Sequence, residues 1–95
     1  MQGYKTMART DEYEMRIAAK RIVIVTGRAQ LGQDISMRMG LLASQFSLAT
    51  RVEHLRGIEP DVMVLAPTGR DDFYLMQEAR NLARRHGTQV MTWTN

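Results

Sequence analysis

Two runs of consecutive apolar residues, Arg21-Ile22-Val23-Ile24-Val25-Thr26 and Asp61-Val62-Met63-Val64-Leu65-Ala66, constrain the fold more than any other feature of the chain. Both are rich in β-branched residues and of strand length. A strand that is apolar at every position is covered on both faces, as the inner strands of a parallel sheet are, whereas a half-exposed antiparallel strand alternates. Each run is followed by a segment of helical periodicity. From Gln30 to Phe46, steps of about 100° gather Leu31, Ile35, Met39, Leu42, Ala43 and Phe46 on one third of a helical wheel. From Arg70 to His86, the residues Leu75, Met76, Ala79, Leu82, Ala83 and His86 share a face. Asp71 and Asp72 in the first turn of that helix, and His86 before Gly87 at its end, suit the helix dipole and a glycine C-cap.

Two shorter strands complete the pattern: one over Leu48–Val52, followed by an irregular stretch through Gly57 and Pro60, and a last one over Thr88–Trp93. Strands alternating with helices imply βαβ units, so the expected fold is α/β, a small Rossmann-like or flavodoxin-like domain with a mostly parallel sheet of three to four strands in the order 2-1-3-4. Ninety-five residues leave room for one core. Residues 1–19 read as a polar tail with a short helix capped by Thr10 and Asp11 and running through Ala18, and residues 20–95 as a single α/β domain.

Composition narrows the chemistry. The chain has no cysteine and only two histidines, His54 and His86, which excludes disulfides, a cysteine nucleophile and thiolate metal sites and argues against protein-held zinc. Neither a resident cofactor nor a metal is expected. No apolar run reaches the roughly 18 residues of a membrane span, and the N-terminus lacks the apolar stretch of a signal peptide, so the expected location is cytoplasmic. A net charge of +3 favours anionic partners only slightly.

Open parallel sheets bind ligands beyond the carboxyl ends of their strands, where the strand order reverses. Here that point falls between the strands ending at Thr26 and Ala66, and each is followed by the same tripeptide: Thr26-Gly27-Arg28 and Thr68-Gly69-Arg70. Two hydroxyls, two flexible turns and two guanidinium groups would face one crevice, joined by the amide donors of helix N-termini, a combination suited to a phosphate. The plainer alternative is that the glycines serve the tight turns and the arginines are solvated. Gly27 and Gly32 have the spacing of a P-loop, but Gln33 and Asp34 replace its lysine and its Ser/Thr, and Ala29 breaks the dinucleotide fingerprint, so an ATPase of that class and a nicotinamide dehydrogenase are both disfavoured.

The order of elements and Glu59-Pro60-Asp61-Val62-Met63-Val64-Leu65 look somewhat like a response-regulator receiver domain, yet Thr26 and Gly27 stand in place of the acidic pair and Ala66 near the place of the phospho-accepting aspartate. Over Arg21–Arg28 and Thr68–Trp93, where a Gly-Arg-Asp turn opens a helix containing Glu78, Ala79 and Ala83, the chain resembles the small Rossmann-like nucleotide-binding families grouped with DprA and the lonely-guy phosphoribohydrolases, and their nucleoside deoxyribosyltransferase relatives. The resemblance covers roughly half the chain. It implies a nucleotide phosphate held by Gly27, Arg28, Gly69 and Arg70, with Glu78 one position from where the transferases place a nucleophilic carboxylate.

Other surfaces suggest other roles. Met37 and Leu41 fall on the far side of the first helix, and Gly32, Ser36 and Gly40 form a strip of small residues, so Met37, Gly40 and Leu41 are candidates for a homodimer or partner contact, unless the strip packs on the domain's own sheet. Arg70, Arg80 and Arg84 form a basic stripe that would suit a nucleic acid or simply a solvated face. The leading expectation is a domain that binds a phosphorylated ligand or nucleotide at Thr26, Gly27, Arg28, Thr68, Gly69 and Arg70 without catalysis. The alternative is a non-enzymatic interaction or inhibitor protein, with nucleic-acid binding third.

Overall fold

β1 (Ile22–Thr26) and β3 (Val62–Ala66) lie side by side at the centre of the sheet, parallel, with Ile22 opposite Val62 and Thr26 opposite Ala66, and every residue of both is buried. Arg21 and Asp61 set their common start. The N–H groups of Asp61 and Val62 donate to the Arg21 carbonyl at 2.9 and 3.1 Å, and the Arg21 N–H donates to the Asp61 carboxylate at 3.0 Å. The computed structural model describes residues 21–93, and the short helix expected over Thr10 to Ala18 lies outside them.

β2 (Phe46–Ala49) pairs in parallel with β1, and β4 (Gln89–Thr92) with β3, which gives an all-parallel, four-stranded sheet in the order β2-β1-β3-β4. The expected fold class and strand order are what the molecule shows. Alternation along the two central strands divides the core. Val23, Val25, Met63 and Leu65 meet Leu75, Met76, Ala79, Leu82 and Ala83 of α2 (Phe73–His86), together with Leu55. Ile22, Ile24, Val62, Val64 and Ala66 meet Ile35 and Met39 of α1 (Ala29–Met39) on the opposite face. The β1-to-β2 connection runs one way across the sheet and the β3-to-β4 connection the other, so crossovers of one hand place their helices on opposite faces.

Three boundaries differ from expectation, each for a local reason. α1 ends at Met39, although apolar periodicity continues to Phe46. Gly40 adopts φ +72°, and the N–H groups of Gly40 and Leu41 donate to the carbonyls of Met37 and Ser36 at 3.1 and 2.9 Å, a Schellman ending that closes the helix. Leu42 and Ala43 are therefore exposed beyond the helix, and Phe46 belongs to β2. The second strand lies over Phe46–Ala49 and not Leu48–Val52, because Val52–Leu55 closes into a 3-10 turn. α2 starts at Phe73, preceded by a 3-10 turn over Arg70–Asp72, and His86 at its end is exposed rather than part of the apolar face. Among the described residues, no helix is long and apolar enough to cross a membrane.

Candidate functional site

The two Thr-Gly-Arg turns sit at neighbouring strand ends, and a carboxylate stands between them. Asp72 is only 4% exposed. Its position before α2 is that of a helix cap, yet its side chain makes no capping bond to that helix. One carboxylate oxygen, Oδ2, accepts the Thr68 N–H at 2.8 Å, the Thr68 hydroxyl at 3.0 Å and the Gly27 N–H at 3.2 Å. The loop after β1 is thereby fastened to the loop after β3. Charge-assisted bonds of this kind are stronger than neutral ones, and three on one oxygen leave the two turns little independent freedom. The other oxygen, Oδ1, is buried with no donor among the described residues.

Gly27 makes this close approach feasible. A Cβ at that position would stand 2.8 Å from the Thr68 hydroxyl oxygen and 3.0 Å from Asp72 Oδ2. Thr26, fully buried, turns its hydroxyl back to the chain, where it accepts the Arg28 N–H at 3.4 Å. Arg28 takes the extended backbone that precedes α1, and the helix begins with neither a side-chain cap nor an acidic residue in its first turn. Its leading amides are thus not paired to a side-chain acceptor of that turn.

Because the Asp72 carboxylate fills the space between the two turns, the open volume lies to one side, toward β2. It is a cleft of about 360 Å³ beyond the carboxyl ends of β2, β1 and β3, walled by Gly27 and Arg28 after β1, by Thr50, Arg51 and Val52 after β2, and by Thr68, Gly69, Asp71 and Asp72 after β3, with Tyr74 and Leu75 in the first turn of α2. Of the six residues expected at a ligand site, Gly27, Arg28, Thr68 and Gly69 line this cleft. Thr26 lies beneath it in the core, and Arg70 is exposed outside the lining.

Arg51 and Tyr74 are among the walls that sequence reasoning missed, with Thr50, Val52, Asp71, Asp72 and Leu75. Arg51 hides in a stretch without periodicity, although the rule that sends ligands to strand ends applies equally to the loop after β2. Its segment is held by His54, whose Nδ1 accepts the Thr50 N–H at 3.0 Å across the Val52–Leu55 turn. Glu78 and His86 lie elsewhere, on a neighbouring depression along α2. Among the described residues, no cluster of three His, Asp or Glu could hold a metal ion.

The candidate interface residues separate. Met37 is 76% exposed, and Leu42 beside the helix end is 68% exposed. Leu41 is half-buried against the cluster that contains Ile35 and Met39. Gly40 is the exposed helix terminator. Gly32 and Ser36 are buried toward the domain's own sheet, where Gly32 meets Leu48 and Thr26. Comparison with protein-family models, with curated proteins and with solved structures returns no match.

Proposed function

We propose that the protein binds a small phosphorylated ligand, a nucleotide among the candidates, in the cleft beyond β2, β1 and β3. The observation that carries this reading is the meeting of Arg28 and Arg51, from two different loops, on one cleft at the point where strand order reverses. Two guanidinium groups suit a phosphate because each presents planar, forked donors that match its oxygens. The resemblance to Rossmann-like nucleotide-binding families implies the same first loop, Gly27 and Arg28.

The reading is one of binding rather than catalysis. Asp72 is engaged with three donors and serves to hold the loops, which leaves Asp71 as the cleft's remaining carboxylate. Thermal melting against inorganic phosphate, sugar phosphates and nucleotides tests it, since a ligand that binds only the folded chain stabilises it by about 2.7 kcal/mol at a hundred times its Kd. A selective rise in Tm supports the proposal, and a flat panel at millimolar concentrations removes it.

A second reading, protein contact through the outer surface of α1, is favoured by the exposure of Met37 and Leu42 near its end. Large apolar side chains that a fold leaves uncovered suit a partner or a second copy.

A further inference from the structure

The outer side of α2 opens with two large aromatic residues that the fold leaves uncovered, Phe73 at 68% and Tyr74 at 63% exposed. Steps of about 100° per residue place Tyr74, Glu78 and Arg85 within about 40° of one another, and Phe73, Gln77 and Arg84 in a second row beside them. Neither row belongs to the buried side of the helix, which is Leu75, Met76, Ala79, Leu82 and Ala83. Charge divides along the same surface. Glu78 is the acidic residue of the helix and precedes its three arginines, Arg80, Arg84 and Arg85. In the turn before it, Arg70 and Asp71 offset each other, and Asp72 is buried in the loop junction. Arg84 donates to the side-chain carbonyl of Asn81, while no ion pair among the described residues engages Glu78, Arg80 or Arg85.

Along the first of these rows, between α2 and the turn that follows β2, runs a hollow of about 410 Å³. Tyr74, Glu78, Leu82 and Arg85 form its helix wall with His86 at one end, and Val52, Leu55 and Ile58 give the far wall an apolar lining. Arg56 and Glu59 on that far side carry one charge of each sign, so the order along the helix wall decides what complements it. That order is aromatic, acidic, apolar, basic. Its complement is the same helix reversed. An antiparallel copy whose Arg85 falls in the one-turn gap between Tyr74 and Glu78 stacks its guanidinium on the ring and pairs it with the carboxylate, and two-fold symmetry makes the contact twice. A parallel copy would set arginine against arginine. We propose that two copies of this chain associate antiparallel through α2, each Arg85 seated between the partner's Tyr74 and the partner's Glu78. A single helix pair is at the small end of specific interfaces, so the association is reversible and depends on concentration. It is independent of the strand-end cleft, whose arginines come from loops outside α2, and of Met37 on α1, which packs on the opposite face of the sheet.

Sedimentation equilibrium of the full chain from micromolar to millimolar concentration tests this, with Glu78→Arg, Arg85→Glu and an equimolar mixture of the two variants. The parent is expected to pass from monomer to dimer as concentration rises. Either variant alone sets like charges against each other at both contacts and is expected to weaken association by about ten-fold or more. In the mixture each altered residue meets its opposite on the other chain, so the mixed dimer is expected to form within about three-fold of the parent affinity. Arg85 is exposed and Glu78 half-buried at the helix surface, so both variants are expected to melt near the parent temperature. A chain carrying both changes restores the pair on every copy and keeps the test decisive where one single variant folds poorly. A parent that stays monomeric throughout overturns the proposal and leaves the surface to a partner of other chemistry. Single variants that associate like the parent overturn it as well, as does a mixture no stronger than its components. Loss of the dimer in Met37→Lys but not in Glu78→Arg also overturns it and assigns the contact to α1.

Discussion

The carboxylate of Asp72 accepts the backbone N–H of Gly27 at 3.2 Å, and this contact ties together two strand-end loops that are 45 positions apart in sequence. The same oxygen takes the N–H and hydroxyl of Thr68, so a single side-chain atom fixes the geometry of the β1 and β3 turns relative to each other. An acidic residue before a helix ordinarily serves that helix. Here it serves the junction between two loops.

Replacing Asp72 by alanine removes the acceptor for the N–H groups of Gly27 and Thr68, each costing roughly 1–3 kcal/mol when left unpaired in a buried setting. We expect Asp72→Ala to lose about 3 kcal/mol in urea unfolding at an unchanged m-value. Asp72→Asn can present its carbonyl oxygen where Oδ2 lies and its amide where Oδ1 has no donor, so it should lose about 1 kcal/mol. Equal losses in the two variants would show that the bonds do not carry the effect.

Gly27→Ala puts a methyl group against the hydroxyl of Thr68 and the carboxylate of Asp72, which that hydroxyl hydrogen-bonds, so neither is free to withdraw. A loss of about 2 kcal/mol is expected, the usual cost of overpacking. Gly32→Ala is the control. Its Cβ would stand 2.6 Å from a terminal methyl of Leu48, a flexible half-buried side chain that can turn aside, and alanine improves helix propensity by about 1 kcal/mol. The Gly32 variant should therefore stay within about 1 kcal/mol of the parent, and a larger loss there than at Gly27 would contradict the argument.

What was legible in the sequence tracks how local its cause is. The runs Ile22–Thr26 and Val62–Ala66 announce doubly covered strands because burial on both faces leaves every position apolar, and the strand order follows from the alternation of elements. The end of α1 was obscured because Gly40 lies within continuing apolar periodicity and also fits a strip of small residues, while its left-handed backbone is a property of the folded turn. β2 was shifted because an edge strand of four residues with mixed burial gives a weak pattern. The first tripeptide, Gly27 and Arg28, was legible as part of the cleft. Arg51 was not, because it depends on where the loop after β2 lands, and the role of Asp72 was not, because its partners come from distant turns.

The outer surface of α1 is open to a simple comparison. Met37→Lys should leave Tm nearly unchanged, within about 0.5 kcal/mol, since the side chain is 76% exposed. Leu41→Lys should lose about 2 kcal/mol, because its side chain is packed against the second core cluster. If the chain associates through this surface, Met37→Lys lowers the mass measured by light scattering without lowering stability. An unchanged mass for parent and variant across concentration counts against that reading.

His54 holds the segment that carries Arg51. Its Nδ1 accepts the Thr50 N–H, and the Oδ1 of an asparagine falls at a similar distance along the side chain, so His54→Asn should preserve the bond that His54→Ala breaks. The alanine variant is expected to lose about 1 kcal/mol and to exchange the Thr50 amide hydrogen faster than the parent. Unaltered exchange in His54→Ala would mean that the ring does not organise the loop.

The arginines divide by position, which makes them the sharpest test of the phosphate reading. Arg28 and Arg51 are cleft walls, Arg28 from the β1 turn and Arg51 from the loop after β2, whereas Arg70 is exposed outside the lining although its tripeptide is identical to that of Arg28. A charge-assisted bond to phosphate contributes about 1.5–3 kcal/mol, so removing either cleft arginine should weaken binding by about ten-fold or more. Arg70→Ala should weaken it no more than loss of one screened surface charge does, about two-fold, and that remainder should vanish at high salt. All three side chains are exposed, so the variants are expected to fold like the parent. Titration with a phosphate ligand that raises the Tm of the parent reads the three affinities directly. An Arg70 effect equal to that of Arg28, with Arg51 silent, would return the site to the crevice between the two tripeptides and displace the cleft toward β2 as the place of binding.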